Sequence, residues 1–343
     1  MDKRIIFAVA GSGKTSNIID RLCLEKNHLI VTYTRSNINN LRNRIIQKFG
    51  LFPKNIKLLP YFQFLYSFCY RPILGYKLRS KGLYYNQPPE YTSRVKWDDD
   101  NHYITTSRRI FHNRLGKLLV RRGLEDLICK RLEKYYDCFY IDEIQDFAGN
   151  DFNLLKGIVK ANLDILLVGD YFQHTYDTSR DGPINGSLHK DLDKYIAEFE
   201  SMGLTIDFKT LDKSYRCTPT ICDFITNNLG IEIRSHRKDE SQIELVQDQE
   251  TIDALMEEDN IVKLFYRDSS KYGCRSKNWG KCKGEDCYVD VCVILNPTSF
   301  KLYEKGELIK SAPTTKNKLY VACSRTKGNL YFIEEKNVKK YKL

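Results

Sequence analysis

The sequence has no Cys-x-x-Cys pair, no apolar run approaching the roughly 18 to 20 residues of a membrane span, and no internal repeat or low-complexity tract. Each absence removes a class. Without close pairs, the eleven cysteines read as reduced core thiols rather than a disulfide frame, and Cys23, Cys129, Cys138, Cys292 and Cys323 all sit in apolar stretches. Cys274, Cys282, Cys287 and Cys292 come nearest to a cluster, but their spacings of eight, five and five fit no zinc or iron–sulfur pattern. Lack of a long apolar run argues against a membrane protein. The first residues, MDKRIIFAVAGSGKT, enter a strand-like segment without a cleavable leader pattern, so a cytoplasmic location is expected.

What remains is a soluble globular composition. The 343 residues are 42% hydrophobic and 29% charged, with 19 Gly and 9 Pro, and the mean hydropathy is -0.48. That length predicts two domains. Lys plus Arg number 55 against 44 for Asp plus Glu, a formal charge of +11, which favours a polyanionic partner, nucleic acid first.

Short apolar runs alternate with amphipathic segments. Residues 4–9, 28–33, 138–142 and 164–169 are rich in Ile, Val, Leu, Phe and Tyr and end at small or acidic residues, as strands buried on both faces of a parallel sheet do. Between them lie helical patterns: from Ser36, read as an N-cap, Ile38, Leu41, Ile45 and Ile46 share one face. A second series of strand-like runs covers 243–246, 261–266, 288–295, 319–323 and 330–333. Residues 71–135 lack this regularity and are read as an insertion in the first sheet. Alternation of this kind predicts open α/β sheets.

Two segments carry chemistry. Ala8 to Thr15 (AVAGSGKT) follows a strand and precedes a helical pattern, the context of a phosphate-binding loop, with Ala8 where the first glycine is usual. In such a loop Ala10, Gly11, Ser12 and Gly13 curl backbone N–H groups around a phosphate. Lys14 reaches the outer phosphates, Thr15 ligates Mg²⁺, and Ser16 opens the helix. Ile141 to Asp146 (IDEIQD) ends an apolar strand, where ligands of open α/β sheets collect. Asp142 there is a candidate Mg²⁺ ligand and Glu143 a candidate general base. An acidic strand end is more often a solvated cap; the phosphate loop elsewhere in the chain favours the functional reading.

These segments, with VTYTRSNINNLRNRI (31–45), VGDYFQHTYD (168–177), LDKSYRCTPTI (211–221), GKCKGED (280–286) and LYVACSRTKGNLYF (319–332), follow the order and approximate spacing of UvrD/Rep-like superfamily 1 helicases, which the chain resembles over nearly its whole length. The resemblance implies two RecA-like P-loop domains with parallel sheets, residues 1–205 and 206–343, the first carrying a small, mostly helical insertion at 71–135. It implies ATP and Mg²⁺ as cofactors and ATP bound between the domains. Gln173 resembles the sensor that ties the γ-phosphate to the nucleic-acid surface, and Tyr215 the aromatic that stacks on adenine. Arg216 and Arg325 resemble arginine fingers, and Asp286 or Glu285 the ribose-contacting carboxylate.

The resemblance further implies a translocase or helicase that moves 3′ to 5′ on single-stranded DNA, RNA remaining a further candidate. Single-strand binding takes basic groups for phosphates and aromatic faces for bases. The candidates are Tyr33, Thr34, Arg35, Tyr66, Tyr176, Trp279 and Lys281, with Phe64, Phe68 and Tyr272 as further aromatics beside the basic stretch 267–283. Two departures bear on this: Thr178-Ser179 stand where the family has a Trp-Arg pair, and Gly280 where it has histidine. Only 63 residues separate Arg216 from Gly280, which leaves no room for the family's second accessory domain. The rival expectation is a nucleotide switch that closes on ATP and licenses a partner nuclease or other effector.

Overall fold

A computed structural model describes residues 1–175, 178 and 181–343. The chain divides into two compact units. The first comprises Met1–Ile6, Thr15–Gly169 and Tyr176–Asp207, and the second Phe7–Lys14, Asp170–Thr175 and Phe208–Leu343. The main boundary lies two residues from the expected one, but the phosphate loop and the segment holding Gln173 group with the C-terminal half.

The first unit is built on six strands, β1 (Lys3–Phe7), β2 (His28–Thr32), β3 (Ile56–Pro60), β4 (Cys138–Asp142), β5 (Asp164–Gly169) and β6 (Thr205–Asp207). They lie in the order β3-β2-β4-β5-β1-β6, and β2–β3, β2–β4, β4–β5 and β1–β6 pair in parallel. Every residue of β2 and β4 is buried, as expected of parallel strands covered on both faces. Helices α1 (Lys14–Asp20) and α2 (Arg35–Phe49) follow β1 and β2. The N-cap of α2 is Thr34, not Ser36: the Thr34 hydroxyl accepts the Asn37 amide at 3.1 Å, while Ser36 is exposed. Gly50 closes α2 in the left-handed region at φ 78°.

The stretch read as an insertion begins within a run of helical turns. Tyr61–Gln63 passes into a π-helical stretch, Phe64–Gly75, with Pro72 inside it. Two short parallel strands follow, Gly82–Tyr84 and Arg109–Phe111. Helices α3 (Leu115–Arg121) and α4 (Glu125–Tyr135) bury Leu115, Leu118, Leu119, Ile128 and Leu132 and lead directly into β4. Helices α5 (Gly149–Ile158) and α6 (Leu192–Ser201) complete that unit.

The second unit holds a five-stranded sheet of β7 (Ile243–Leu245), β8 (Val262–Phe265), β9 (Ser276–Asn278), β10 (Val291–Leu295) and β11 (Leu330–Glu334). Its order is β7-β11-β10-β8-β9, every pairing parallel. Helices α7 (Pro219–Phe224), α8 (Gln249–Glu257), α9 (Pro297–Glu304) and α10 (Pro313–Cys323) accompany it. Residues 319–323, expected as a strand, form the end of α10. All five are 0% exposed, and a fully buried apolar run has the same hydrophobic pattern in either conformation. Pro313 occupies the first helical position, where its missing N–H costs no helical bond. Both units are thus mixed α/β layers around parallel sheets, the expected fold class.

Candidate nucleotide and nucleic-acid site

In the second unit the phosphate loop leaves β1 with Val9 N–H donating to Leu211 O at 3.0 Å. Gly11 and Gly13 have φ of 70° and 87°, a region in which other residues are strained, which explains glycine at both. Ser12 Oγ donates to Val9 O at 2.8 Å and tightens the turn. At Gly11 glycine is required twice over, since a Cβ there would lie 2.7 Å from both Arg216 Cβ and Ser214 Oγ. The Gly11 carbonyl accepts the Tyr215 amide at 2.9 Å. The segment LDKSYR therefore packs directly on the loop.

From Ala10 a buried chain of hydrogen bonds runs through the second unit. The Ala10 amide donates to Tyr320 Oη at 2.8 Å, and Tyr320 Oη donates to Asp170 Oδ2 at 2.9 Å. Asp170 Oδ2 also accepts Gln173 Nε2 at 2.7 Å, and Gln173 Oε1 accepts Arg325 Nη2 at 3.3 Å. Arg325, 2% exposed, donates further to Glu285 O and Val321 O. Burial, with the Asp170 carboxylate beside it, pushes the Tyr320 hydroxyl well above its ordinary range, so it stays protonated and keeps both bonds. Three candidates from separate sequence segments, Ala10, Gln173 and Arg325, are thus joined through Tyr320 and Asp170, which carried no role in the sequence reading.

Arg216 sits beside this chain. Its Nε donates to Asp286 at 2.7 Å and its Nη1 to Ser324 O at 2.9 Å. Burial raises the Asp286 carboxyl, but Arg216, with Lys327 and Arg325, more than offsets this and holds it below the usual carboxylate range. Glu285 is occupied by Lys277 and Tyr288. Tyr215 is 64% exposed and stacks on His236 with ring centroids 4.0 Å apart and planes at 13°. A flat ring backed on one face by an imidazole suits base stacking; His236 was invisible in the sequence because its partner is 21 positions away.

Trp279 is corrected. It is fully buried, its indole N–H donates to Leu264 O at 2.9 Å, and its ring meets Tyr266 edge-on, so no face is open to a base. Tyr272 is likewise buried, stacked on Phe265 at 4.0 Å. Much of the basic stretch is engaged locally: Lys271 with Asp268, Lys277 with Glu285, and Arg275 with the carbonyls of Asp259 and Asn260. Lys281 and Arg267 are exposed. Among the described residues no group of three or more His, Cys, Asp and Glu is placed to hold a metal ion. Burial pushes the Cys282 thiol up to about 11, as for an inert core cysteine.

In the first unit, Thr15 and Ser16 open α1, and Ser16 Oγ accepts Arg44 at 2.7 Å. Asp142, 2% exposed, ends β4, and its carboxylate accepts the Glu143 amide at 3.0 Å. Glu143 is in the left-handed region, φ 60° and ψ 46°, and is 7% exposed with Gln145 donating to its carboxylate. A non-glycine residue in this region costs free energy and persists only where its surroundings hold it. Gly169 is wedged here, since a Cβ on it would lie 2.4 Å from Gln145 Oε1.

The nucleic-acid candidates of this unit divide. Tyr33 is half-buried, edge-on to Phe62 at 5.6 Å, and Arg35 is exposed. The Thr34 hydroxyl is spent on the α2 cap. Tyr66 is half-buried and stacked on Tyr70 at 5.7 Å. Phe64 and Phe68 are buried against each other in the core, removing both as base platforms. Thr178, at the position where the resembled family has tryptophan, is buried and its hydroxyl accepts the Ala148 amide. Tyr176 and Ser179 lie outside the described residues.

No protein-family model and no curated protein matches this sequence. Solved structures do match. Arterivirus nonstructural protein 10, a helicase, aligns at a TM-score of 0.50 both in its complex with DNA, at 11% identity over 97% of this chain and 61% of that one, and alone, at 13% identity over 98% and 62%. The PRRSV helicase aligns at a TM-score of 0.49, 13% identity, over 98% of this chain and 53% of that one. The chain therefore shares the overall fold of the two arterivirus structures, and it spans about half to three fifths of the length of the chains it matches.

Proposed function

We propose that this chain is an ATPase driven by single-stranded nucleic acid, a translocase of the UvrD/Rep type that moves 3′ to 5′ on DNA in the cytoplasm. The observation that supports it most is the buried chain from the Ala10 amide through Tyr320, Asp170 and Gln173 to Arg325. A phosphate loop wired to a glutamine and an arginine senses whether its phosphates are present. In this reading the amides from Ala10 to Ser16 and the Lys14 ammonium would hold the phosphates, and Thr15 and Asp142 would hold Mg²⁺, which would supply charge neutralisation for the phosphate oxygens. Glu143, strained and aimed by Gln145, takes the proton from water. Arg216 and Arg325 offer guanidinium groups to the charge that develops on transfer. Tyr215, backed by His236, stacks on the base, and Asp286 meets the ribose. The DNA complex of the arterivirus neighbour supports a strand-binding role, for which Tyr33, Arg35, Tyr66 and Lys281 remain the candidates.

The burial of Trp279 and the occupied hydroxyl of Thr178 thin the base-stacking surface. They favour a second reading, in which nucleotide closure switches the chain and recruits an effector such as a nuclease without directional movement. Two assays test the proposal. Phosphate release should rise with single-stranded DNA, with duplex DNA and RNA as comparisons, and vanish in Glu143→Gln while nucleotide still binds; stimulated turnover in that variant would reject the assigned base. Displacement of streptavidin from end-labelled single strands then separates a translocase from a switch.

A further inference from the structure

Arg216 and Arg325 belong to segments far apart in the chain: Arg216 follows the short strand Lys213–Ser214, and Arg325 lies just past α10. A third arginine, Arg237, which belongs to none of the motif segments, joins the two. Its Nη1 donates to Arg216 O and to Lys327 O, each at 2.5 Å. A terminal guanidinium nitrogen carries two N–H bonds, so each carbonyl takes one. The other edge of the guanidinium meets Asp239. Nε donates to Oδ1 at 2.8 Å and Nη2 donates to Oδ2, a two-pronged pairing that fixes the guanidinium plane. Arg237 holds the Asp239 carboxyl below the usual carboxylate range, so the fork stays ionised at neutral pH.

The backbone around Arg237 is itself tied to the first arginine segment. Arg234–Ser235 pairs in parallel with Lys213–Ser214, and His236 N–H donates to Ser214 O at 2.8 Å. Ser235 Oγ donates to Cys217 O at 2.7 Å and accepts the Arg237 amide at 2.9 Å. On the second segment, the Lys327 and Gly328 amides both donate to Val289 O, at 2.9 and 2.7 Å. The two segments also meet at Ser324 O, which accepts Arg216 Nη1 and Cys217 Sγ. Arg237 is the added tie that neither segment supplies. Without it, two carbonyl oxygens that share one nitrogen would face each other with no proton between them, and each would lack its partner. The segments would move apart and carry Arg216 and Arg325 with them. Charge stabilisation during transfer depends on donors placed in advance, and a misplacement of about 1 Å can cost about a hundredfold in rate.

We infer that Arg237 is a positioning residue that sets the spacing of Arg216 and Arg325 for phosphate transfer while touching neither nucleotide nor strand. The inference rests on the ATPase reading above, in which those two arginines meet the developing charge.

The test uses the full chain and compares wild type with Arg237→Ala, Asp239→Asn, Arg216→Ala and Arg325→Ala. In steady-state phosphate release Arg237→Ala should lower kcat about 10- to 100-fold and keep KM for ATP within about twofold. Calorimetric titration with ADP, and with ADP plus aluminium fluoride as a mimic of the transferring group, reads the same split in binding. Affinity for the mimic should fall by about the factor lost in kcat, and affinity for ADP alone should hold. Arg237→Ala combined with Arg216→Ala should lose less than the product of the two single losses, since one acts through the other. Asp239→Asn alters only an exposed side chain and should show the same pattern at smaller size. A wild-type kcat in a folded Arg237→Ala, or in Asp239→Asn where Arg237→Ala does not fold, would overturn the inference. So would equal losses for ADP and its mimic, or losses that multiply in full. A wild type that hydrolyses no ATP, or Arg216→Ala and Arg325→Ala that both turn over at the wild-type rate, would overturn the ATPase reading and this inference with it. Impaired Arg216→Ala and Arg325→Ala beside an unaffected Arg237→Ala would overturn this inference alone.

Discussion

Replacing Tyr320 with Phe removes one oxygen atom from the centre of the second unit and leaves the ring in place. That oxygen accepts the Ala10 amide at 2.8 Å and donates to the Asp170 carboxylate at 2.9 Å, and the residue is 0% exposed, so no water is at hand to replace it. A neutral hydrogen bond contributes about 0.5 to 1.5 kcal/mol and one to a charged group about 1.5 to 3, so Tyr320→Phe should lower stability by roughly 2 to 4 kcal/mol. Asp170 also holds Gln173 at 2.7 Å and Gln173 holds Arg325, so the functional effect should exceed the structural one. Nucleotide affinity should change little, because the loop keeps its own turn through Ser12 and Val9. Turnover and its stimulation by single strands should fall together. Calorimetry and steady-state ATPase kinetics read the two effects separately. A variant with the wild-type unfolding transition and wild-type stimulation would refute the reasoning, since the hydroxyl would then carry neither bond.

Three further changes follow from the same geometry. Burial pushes the Asp151 carboxyl up to about 7, with the Thr178 and Tyr61 hydroxyls pulling the other way. An unfolded aspartate titrates near 3.9, so this group stabilises the fold fully below about pH 4 and loses that contribution as pH rises through about 7, roughly 4 kcal/mol in all. Asp151→Asn should flatten the decline and be the more stable protein at pH 8 in urea titrations; an unchanged pH slope would contradict this. Trp279→Phe should cost about 1 kcal/mol for the lost bond to Leu264 O and leave strand affinity unchanged in anisotropy titrations. Arg325→Ala, which strips donors from Gln173, Glu285 O and Val321 O, should cut kcat by orders of magnitude with nucleotide affinity nearly kept; equal losses in both would mean the arginine only assists binding.

The parts legible in the sequence are those fixed by local chemistry. Strands 138–142 and 164–169 are found at the bounds read from their apolar runs, and Gly11 and Gly13 occupy backbone regions that few other residues tolerate. The rest depended on contacts between distant segments. Residues 319–323 read equally well as a buried strand or a buried helix, and they pack as a helix against β10. Trp279 stands among lysines and arginines in the chain, yet its indole reaches across to β8. Tyr320 and Asp170 lie 150 positions apart and His236 is 21 from Tyr215, so no periodicity could pair them.

The central claim is that strand binding and phosphate transfer belong to one engine, and phosphate release is its most direct measure. Wild type, Lys14→Ala and Glu143→Gln should be compared with and without single-stranded DNA. The account predicts strand-stimulated release by the wild type alone, with Glu143→Gln still binding nucleotide. Hydrolysis by the wild type that ignores the strand, or persists at the same rate in Glu143→Gln, would contradict it.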